Sequence, residues 1–202
     1  MISSRLINKA KPTVLISLIF PSFIWIGMFI NGNLGINPID ILMDKLGEMS
    51  LRLLILVLII SSLSQFYFLR SFQNLRRLIG LVAFYYLFLH LICYVFLDHF
   101  FNFAFILKDI IKRPFITFGF LGFILLFPLV FTSTNNMVKK LTFKVWKKIH
   151  YLIYLVIILG IFHFYLLTKA DKTEPLIYLG IVIFLFFLRI YKIFFTHRVA
   201  QR

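Results

Sequence analysis

The sequence predicts an all-α, polytopic membrane bundle of six transmembrane helices, and three observations carry that prediction. Hydrophobic residues make up 61% of the chain, against about 45–50% in soluble domains, so too little polar surface remains for a water-facing shell. Six apolar runs are each long enough, at roughly 17–25 residues, to cross the hydrocarbon layer. The two-residue alternation of a membrane barrel is absent, and lipid cannot satisfy an open backbone, which leaves helices.

The runs lie near 13–30, 51–69, 78–97, 115–131, 148–167 and 175–195. The first has no small-residue cleavage site behind it and is expected to stay as a span rather than to leave as a signal segment. Ser61, Ser62, Ser64 and Gln65 soften the end of the second, and glycines and Pro128 interrupt the fourth. No repeat, low-complexity tract or linker divides the chain, so a single domain over 1–202 is expected. The one cysteine, Cys93, falls in the third run and has no partner for an internal disulfide.

Charge sets the orientation. The net charge is +15, yet its placement argues against nucleic acid. Segments 1–12, 70–77, 132–148 and 189–202 hold fifteen of the 22 Lys and Arg and no acid. All seven acids, Asp40, Asp44, Glu48, Asp98, Asp109, Asp171 and Glu174, lie in the alternate segments, outside the six runs. Lys and Arg beside helix ends keep short loops in the cytoplasm, so both termini are expected there. A basic face of this kind attracts anionic membrane lipids or an acidic soluble partner.

Two histidines, His90 and His163, sit deep within apolar runs. An ionisable group in lipid is costly and usually faces a protein interior that uses it. His90 lies about 20 Å along the third helix from its cytoplasmic end, and His163 about 22 Å along the fifth, so the two rings can meet in the outer half of the bilayer. Small residues beside them, Gly80 and Ala83 on the third helix and Gly160 on the fifth, leave room for a flat porphyrin. Tyr86 and Tyr94, four residues to either side of His90, are placed to pack on a macrocycle or to bond a propionate. His150, thirteen residues before His163 on the same expected helix, lies near the inner headgroups beside Lys147 and Lys148. It reads either as an interfacial residue or as a second ligand, while His99 and His197 are expected to be solvated. The plainer account of the buried pair is a hydrogen bond from each ring to a neighbouring helix. A b-type haem between His90 and His163 is the sharper one. No zinc spacing or glycine-rich dinucleotide turn competes.

Two stretches carry a family resemblance. RRLIGLVAFYYLFLHLICYV at 76–95 and FTSTNNMVKKLTFKVWKKIHYLIYLVIILGIFHF at 131–164 resemble the MsrQ (YedZ) family, through Thr132, Ser133, Asn135, Trp146, His150, Tyr154 and His163 in the second. The resemblance implies a haem b electron-transfer subunit of the bacterial cell inner membrane. It implies electrons arriving from quinol or a cytoplasmic flavin reductase and leaving to a periplasmic molybdopterin-containing methionine sulfoxide reductase subunit. FMN alongside haem b, and bound quinone, are implied as further cofactors, though no residue marks a site for either. Such proteins are similar to the membrane domain of ferric reductases and NADPH oxidases. In the oxidases a further histidine stands fourteen positions before the outer one, where this chain has Arg76. An outer haem on His90 and His163 is thereby implied, and any inner haem would have only His150. No external loop is large enough for a substrate site, so reduction of the sulfoxide is expected on another chain. The alternatives are a stand-alone ferric reductase or quinol-oxidising cytochrome b and, from another class, a small transporter relaying protons through its histidines.

Overall fold

The computed structural model describes residues 4–64 and 67–199, with helices and no strand among them. Six segments are long and apolar enough to span a membrane: Ser4–Ile30, Pro38–Leu63, Leu69–Asp98, Pro114–Phe131, Phe143–Leu167 and Thr173–Tyr191. The count agrees with the sequence, but the boundaries move. Helix α1 (Ser4–Ile30) starts well before residue 13 and runs through Pro12 and Pro21. Helix α2 (Pro38–Leu63) begins thirteen residues before the expected 51, with Pro38 at its start, where the missing N–H costs nothing. The expectation that no acid lies in a span therefore fails: Asp40, Asp44 and Glu48 repeat every fourth residue along the first turns of α2. Their charge masks a helix start in a hydropathy reading.

A 3-10 helix (Tyr67–Leu75) leads into α3 (Arg76–Ile92), which continues as a π-helical turn over Cys93–Asp98. Two elements fall where only loop was expected. Helix α4 (Phe103–Lys112) follows a turn in which Phe100 and Phe101 take φ of 45° and 61°, and the Asn102 side chain caps it by accepting from the Phe105 N–H. Helix α6 (Asn135–Lys140) follows α5 (Pro114–Phe131). Within the fifth span, α7 (Phe143–His150) and α8 (Leu152–Leu167) meet at Tyr151, which keeps right-handed helical backbone, so the span continues from His150 to His163. Helix α9 (Thr173–Val199) closes the bundle.

Helices α2 and α3 form one closely packed pair and α5 and α8 the other, and α2 against α8 and α3 against α5 complete a four-helix ring. Helices α1 and α9 flank it. The buried core comes from Leu42, Leu46, Leu53, Leu54 and Leu58 of α2, Ile79, Val82 and Tyr86 of α3, Leu126 and Leu129 of α5, and Val156, Ile157 and Ile161 of α8. In lipid, apolar burial alone drives little helix association, so close backbone approach and interhelical hydrogen bonds matter more. Ser50 of α2 supplies both, donating to the Ala83 carbonyl of α3 at 2.9 Å.

The two ends differ in charge. One end carries Arg76, Arg77, Lys139, Lys140, Lys144, Lys147, Lys148 and Arg189, and the Arg77 guanidinium donates to the Asn135 side chain. The acids gather at the other, where Arg52 pairs with Glu48 at 2.9 Å and Glu174 at 2.6 Å. There α4 exposes Phe103, Leu107 and Ile111 along one stripe and buries Ile106 and Asp109 on the opposite face, as an interfacial helix does. His99, expected in solvent, lies beneath it instead. Its side chain is only 12% exposed, 3.5 Å from the Asp109 carboxylate and edge-on to Tyr94. The reason is α4, which folds back over the π-helical turn.

Candidate functional site

Helices α3 and α8 carry His90 and His163 to the same level of the four-helix ring, with ring centroids 6.2 Å apart and planes at 88°. Each ring is held by a different neighbour. The His90 Nδ1 lies 2.8 Å from the Met43 carbonyl on α2, and the His163 Nδ1 lies 2.6 Å from the Phe115 carbonyl on α5. A carbonyl only accepts, so both Nδ1 atoms carry the proton and both Nε2 atoms keep a lone pair. That is the tautomer a metal-binding imidazole needs, with its other nitrogen fixed by an outer hydrogen bond.

The clearance for these rings comes from residues that the sequence reading missed. A Cβ on Gly47 would stand 3.1 Å from the His90 Nδ1, and one on Gly119 would stand 2.8 Å from the His163 Nδ1. Gly47 follows Met43 by four residues, as Gly119 follows Phe115. One helical turn of α2 thus offers a carbonyl and a bare Cα to His90, and one turn of α5 offers the same to His163. The Nδ1–Cε1 edge of each ring rests on its glycine, which leaves Nε2 and Cδ2 on the far side. A search outward from each histidine along its own helix cannot find these positions; the signal is a glycine at matching depth in the neighbouring run.

The remaining expected site residues divide. Gly80 has open space where a Cβ would stand. Ala83 is fully buried against α2, its carbonyl taken by Ser50, and a Cβ on Gly160 would meet the Leu51 side chain at 3.2 Å. Those two positions serve helix packing against α2. Tyr86 turns to α1, where its hydroxyl donates to the Leu18 carbonyl at 2.7 Å and its ring meets Trp25. Its hydroxyl is engaged there because α1 covers that face of α3. Tyr94 lies with His99 and Asp109 under α4, its hydroxyl buried without a hydrogen bond. His150 stacks on Trp146 with centroids 3.9 Å apart and donates to the Trp146 carbonyl one turn back at 3.1 Å. It joins neither His90 nor His163. Asp44, one residue after Met43, lies within electrostatic reach of His163 and was also missed.

The chemistry open to this arrangement is narrow. Among the described residues, no group of three or more His, Cys, Asp or Glu is placed to cage a metal. Two facing imidazoles with free Nε2 lone pairs suit a metal whose other ligands come from elsewhere, as a porphyrin supplies them. The ring centroids stand 6.2 Å apart, so His90 and His163 together would hold one such group between α3 and α8.

Comparison with known proteins agrees with this geometry. The model of the ferric reductase like transmembrane component matches residues 46–161, which include His90 and His150. The protein-methionine-sulfoxide reductase heme-binding subunit MsrQ of Caulobacter vibrioides is 40% identical over 195 residues, 92% of this chain and 93% of its own. The MsrQ of Rhodospirillum rubrum is 41% identical over 170 residues, 84% and 81% of the two chains. The magnetosome protein MamZ of Magnetospirillum gryphiswaldense is 37% identical over 90% of this chain but only 29% of its own, so there the same membrane unit is part of a longer protein. With a family model covering more than half of its residues and a relative aligned along nine-tenths of both chains, this multi-pass membrane protein belongs to the ferric reductase like transmembrane family and, within it, to MsrQ.

Proposed function

We propose that the chain is the haem-binding membrane subunit of a methionine sulfoxide reductase system, carrying electrons across the bacterial inner membrane through one haem b held by His90 and His163. The observation that carries the reading is the matched pair itself: two imidazoles at one depth, each with Nδ1 engaged and Nε2 free. When bound, the haem supplies reversible one-electron exchange. The chain does the rest. His90 and His163 would hold the haem through Nε2, the Met43 and Phe115 carbonyls hold the rings' orientation, Gly47 and Gly119 let the rings seat against α2 and α5, and Gly80 leaves space beside α3. A haem held by two such imidazoles would give a low-spin spectrum.

Direction follows from charge. The basic end is the cytoplasmic one, with both termini there, and the histidine pair lies toward the periplasm. Electrons enter at the basic end from quinol or a cytoplasmic flavin reductase, and FMN and quinone are further cofactors that the family resemblance implies for the chain. They leave at the acidic end to a periplasmic molybdopterin-containing subunit, which reduces oxidised methionine. His150, beside the entry, either ligates a second, weaker haem or lines the donor's approach. A stand-alone ferric reductase is the second reading, favoured by the family match over 46–161.

The test is a reduced-minus-oxidised absorption spectrum of membranes containing the chain, followed by sulfoxide reduction with and without the molybdenum subunit. Low-spin haem bands with turnover only when that subunit is present support the proposal. A flat spectrum ends it, and reduction of ferric chelates without any partner selects the second reading.

A further inference from the structure

At the basic end one side chain touches both the end of α5 and the imidazole of His150. Thr132 closes α5 with its hydroxyl turned back on the Pro128 carbonyl at 2.6 Å. Its own carbonyl is among those that a helix end leaves without a partner inside the helix. The Trp146 Nε1 donates to that carbonyl at 3.2 Å. Thr142 caps α7 by accepting from the Val145 N–H, which fixes where the helix bearing the indole begins. One turn further on, His150 stacks on the indole with centroids 3.9 Å apart and planes at 26°, and its Nδ1 donates to the Trp146 carbonyl at 3.1 Å. Residues four apart share a helix face, so the two rings meet. Phe143 lies nearly parallel to the indole, at 6.1 Å and 20°.

The indole is thereby held at two points, by its own backbone on α7 and by its Nε1 on α5. The imidazole cannot swing without leaving the indole face, nor flip without leaving the Trp146 carbonyl. Both contacts come from one residue. With the proton on Nδ1, the Nε2 keeps its lone pair. A ring ordered before its partner arrives spares the rotamer entropy that a free ring would lose at that step.

We propose that Trp146 is a positioning residue for electron entry: tied to the end of α5 through the Thr132 carbonyl, its indole holds His150 in the orientation from which electrons pass inward. The inference rests on the reading that electrons enter at the basic end, and in it Trp146 acts through His150 rather than on the donor.

The experiment uses the full, haem-loaded chain in nanodiscs, reduced by a flavin donor in stopped flow. Trp146→Leu keeps the backbone carbonyl and loses both the stack and the tie to α5. It should slow the limiting rate severalfold, as His150→Ala does, with the donor concentration for half-maximal rate and the low-spin haem bands unchanged. Trp146→Phe keeps a flat ring and should recover part of the rate. The double variant Trp146→Leu with His150→Ala should be no slower than either single one, because residues acting through one another are not additive. The readout free of turnover is NMR of the reduced chain. The carbon-bound imidazole protons of His150, identified by their loss in His150→Ala, should lie upfield under the indole and move downfield in Trp146→Leu. A parent-like rate in Trp146→Leu overturns the role alone, whereas a parent-like rate in His150→Ala overturns the entry reading with it. Additive losses in the double variant, or a change only in the half-maximal donor concentration, also overturn the role. Should Trp146→Leu fail to fold, Trp146→Phe decides: moved imidazole protons with an unchanged rate sink the proposal.

Discussion

At the acidic end each histidine donates to a carbonyl on a neighbouring helix, His90 to Met43 and His163 to Phe115, whereas His150 at the basic end donates to Trp146 on its own. The acidic-end rings face one another across 6.2 Å, each seated on a glycine of another helix. His150 lies flat on an indole and has cationic Arg76 for a neighbour. What an intramembrane histidine can face is set by what holds its second nitrogen. A neighbouring helix aims the ring away from its own backbone, while a carbonyl one turn back keeps it along its own helix.

The largest effect is expected at the pair. His90→Ala and His163→Ala should each abolish low-spin haem and partner-dependent sulfoxide reduction while the helices still insert, since apolar length drives insertion. Haem per protein at matched expression checks this, and full retention in either variant would mean the wrong ligands have been named.

The next test separates ring from seat. Gly119→Ala puts a Cβ 2.8 Å from the His163 Nδ1 and 3.0 Å from Cε1, and overpacking of this kind costs about 1–3 kcal/mol. We expect a loss of haem affinity near the top of that range for Gly119→Ala. Gly47→Ala, with contacts of 3.1 and 3.2 Å, should fall near the bottom. Haem titration of apo-protein gives the order directly, and a larger effect at Gly47 would contradict the clearance argument.

A smaller change is expected at the basic end. His150→Ala should leave the main haem bound and slow its reduction from the cytoplasmic side severalfold, measured by stopped-flow with a flavin donor. Loss of all haem from a folded variant would erase the distinction between the ends. The least perturbing test is topological: cysteine labelling should find position 140 cytoplasmic and position 172 periplasmic, and the reverse would exchange the donor and acceptor ends.

Much of this was legible in the residues. Apolar run length gave six spans, and the depth of His90 and His163 brought them to one level, because both quantities scale with the rise per residue. The start of α2 was hidden by Asp40, Asp44 and Glu48, whose charge a hydropathy reading counts against a span although they ride on its outer turns. Helix α4 was hidden by its short length and its place between two spans, and with it the burial of His99. Gly47 and Gly119 went unseen for a different reason. The helices that bear the histidines do not show this clearance, because packing supplies it from the helices that face them.

The two carbonyl clasps have a consequence for what it costs to bind a group between the rings. Freezing a side chain costs rotamer entropy, and a ligand fixed in advance spares that cost when its target arrives. Because the Met43 and Phe115 carbonyls on α2 and α5 hold His90 and His163, part of the ordering of these rings belongs to the pairing of the helices. Pairing of the helices therefore spares part of the entropy that any group bound by the two rings would otherwise have to supply.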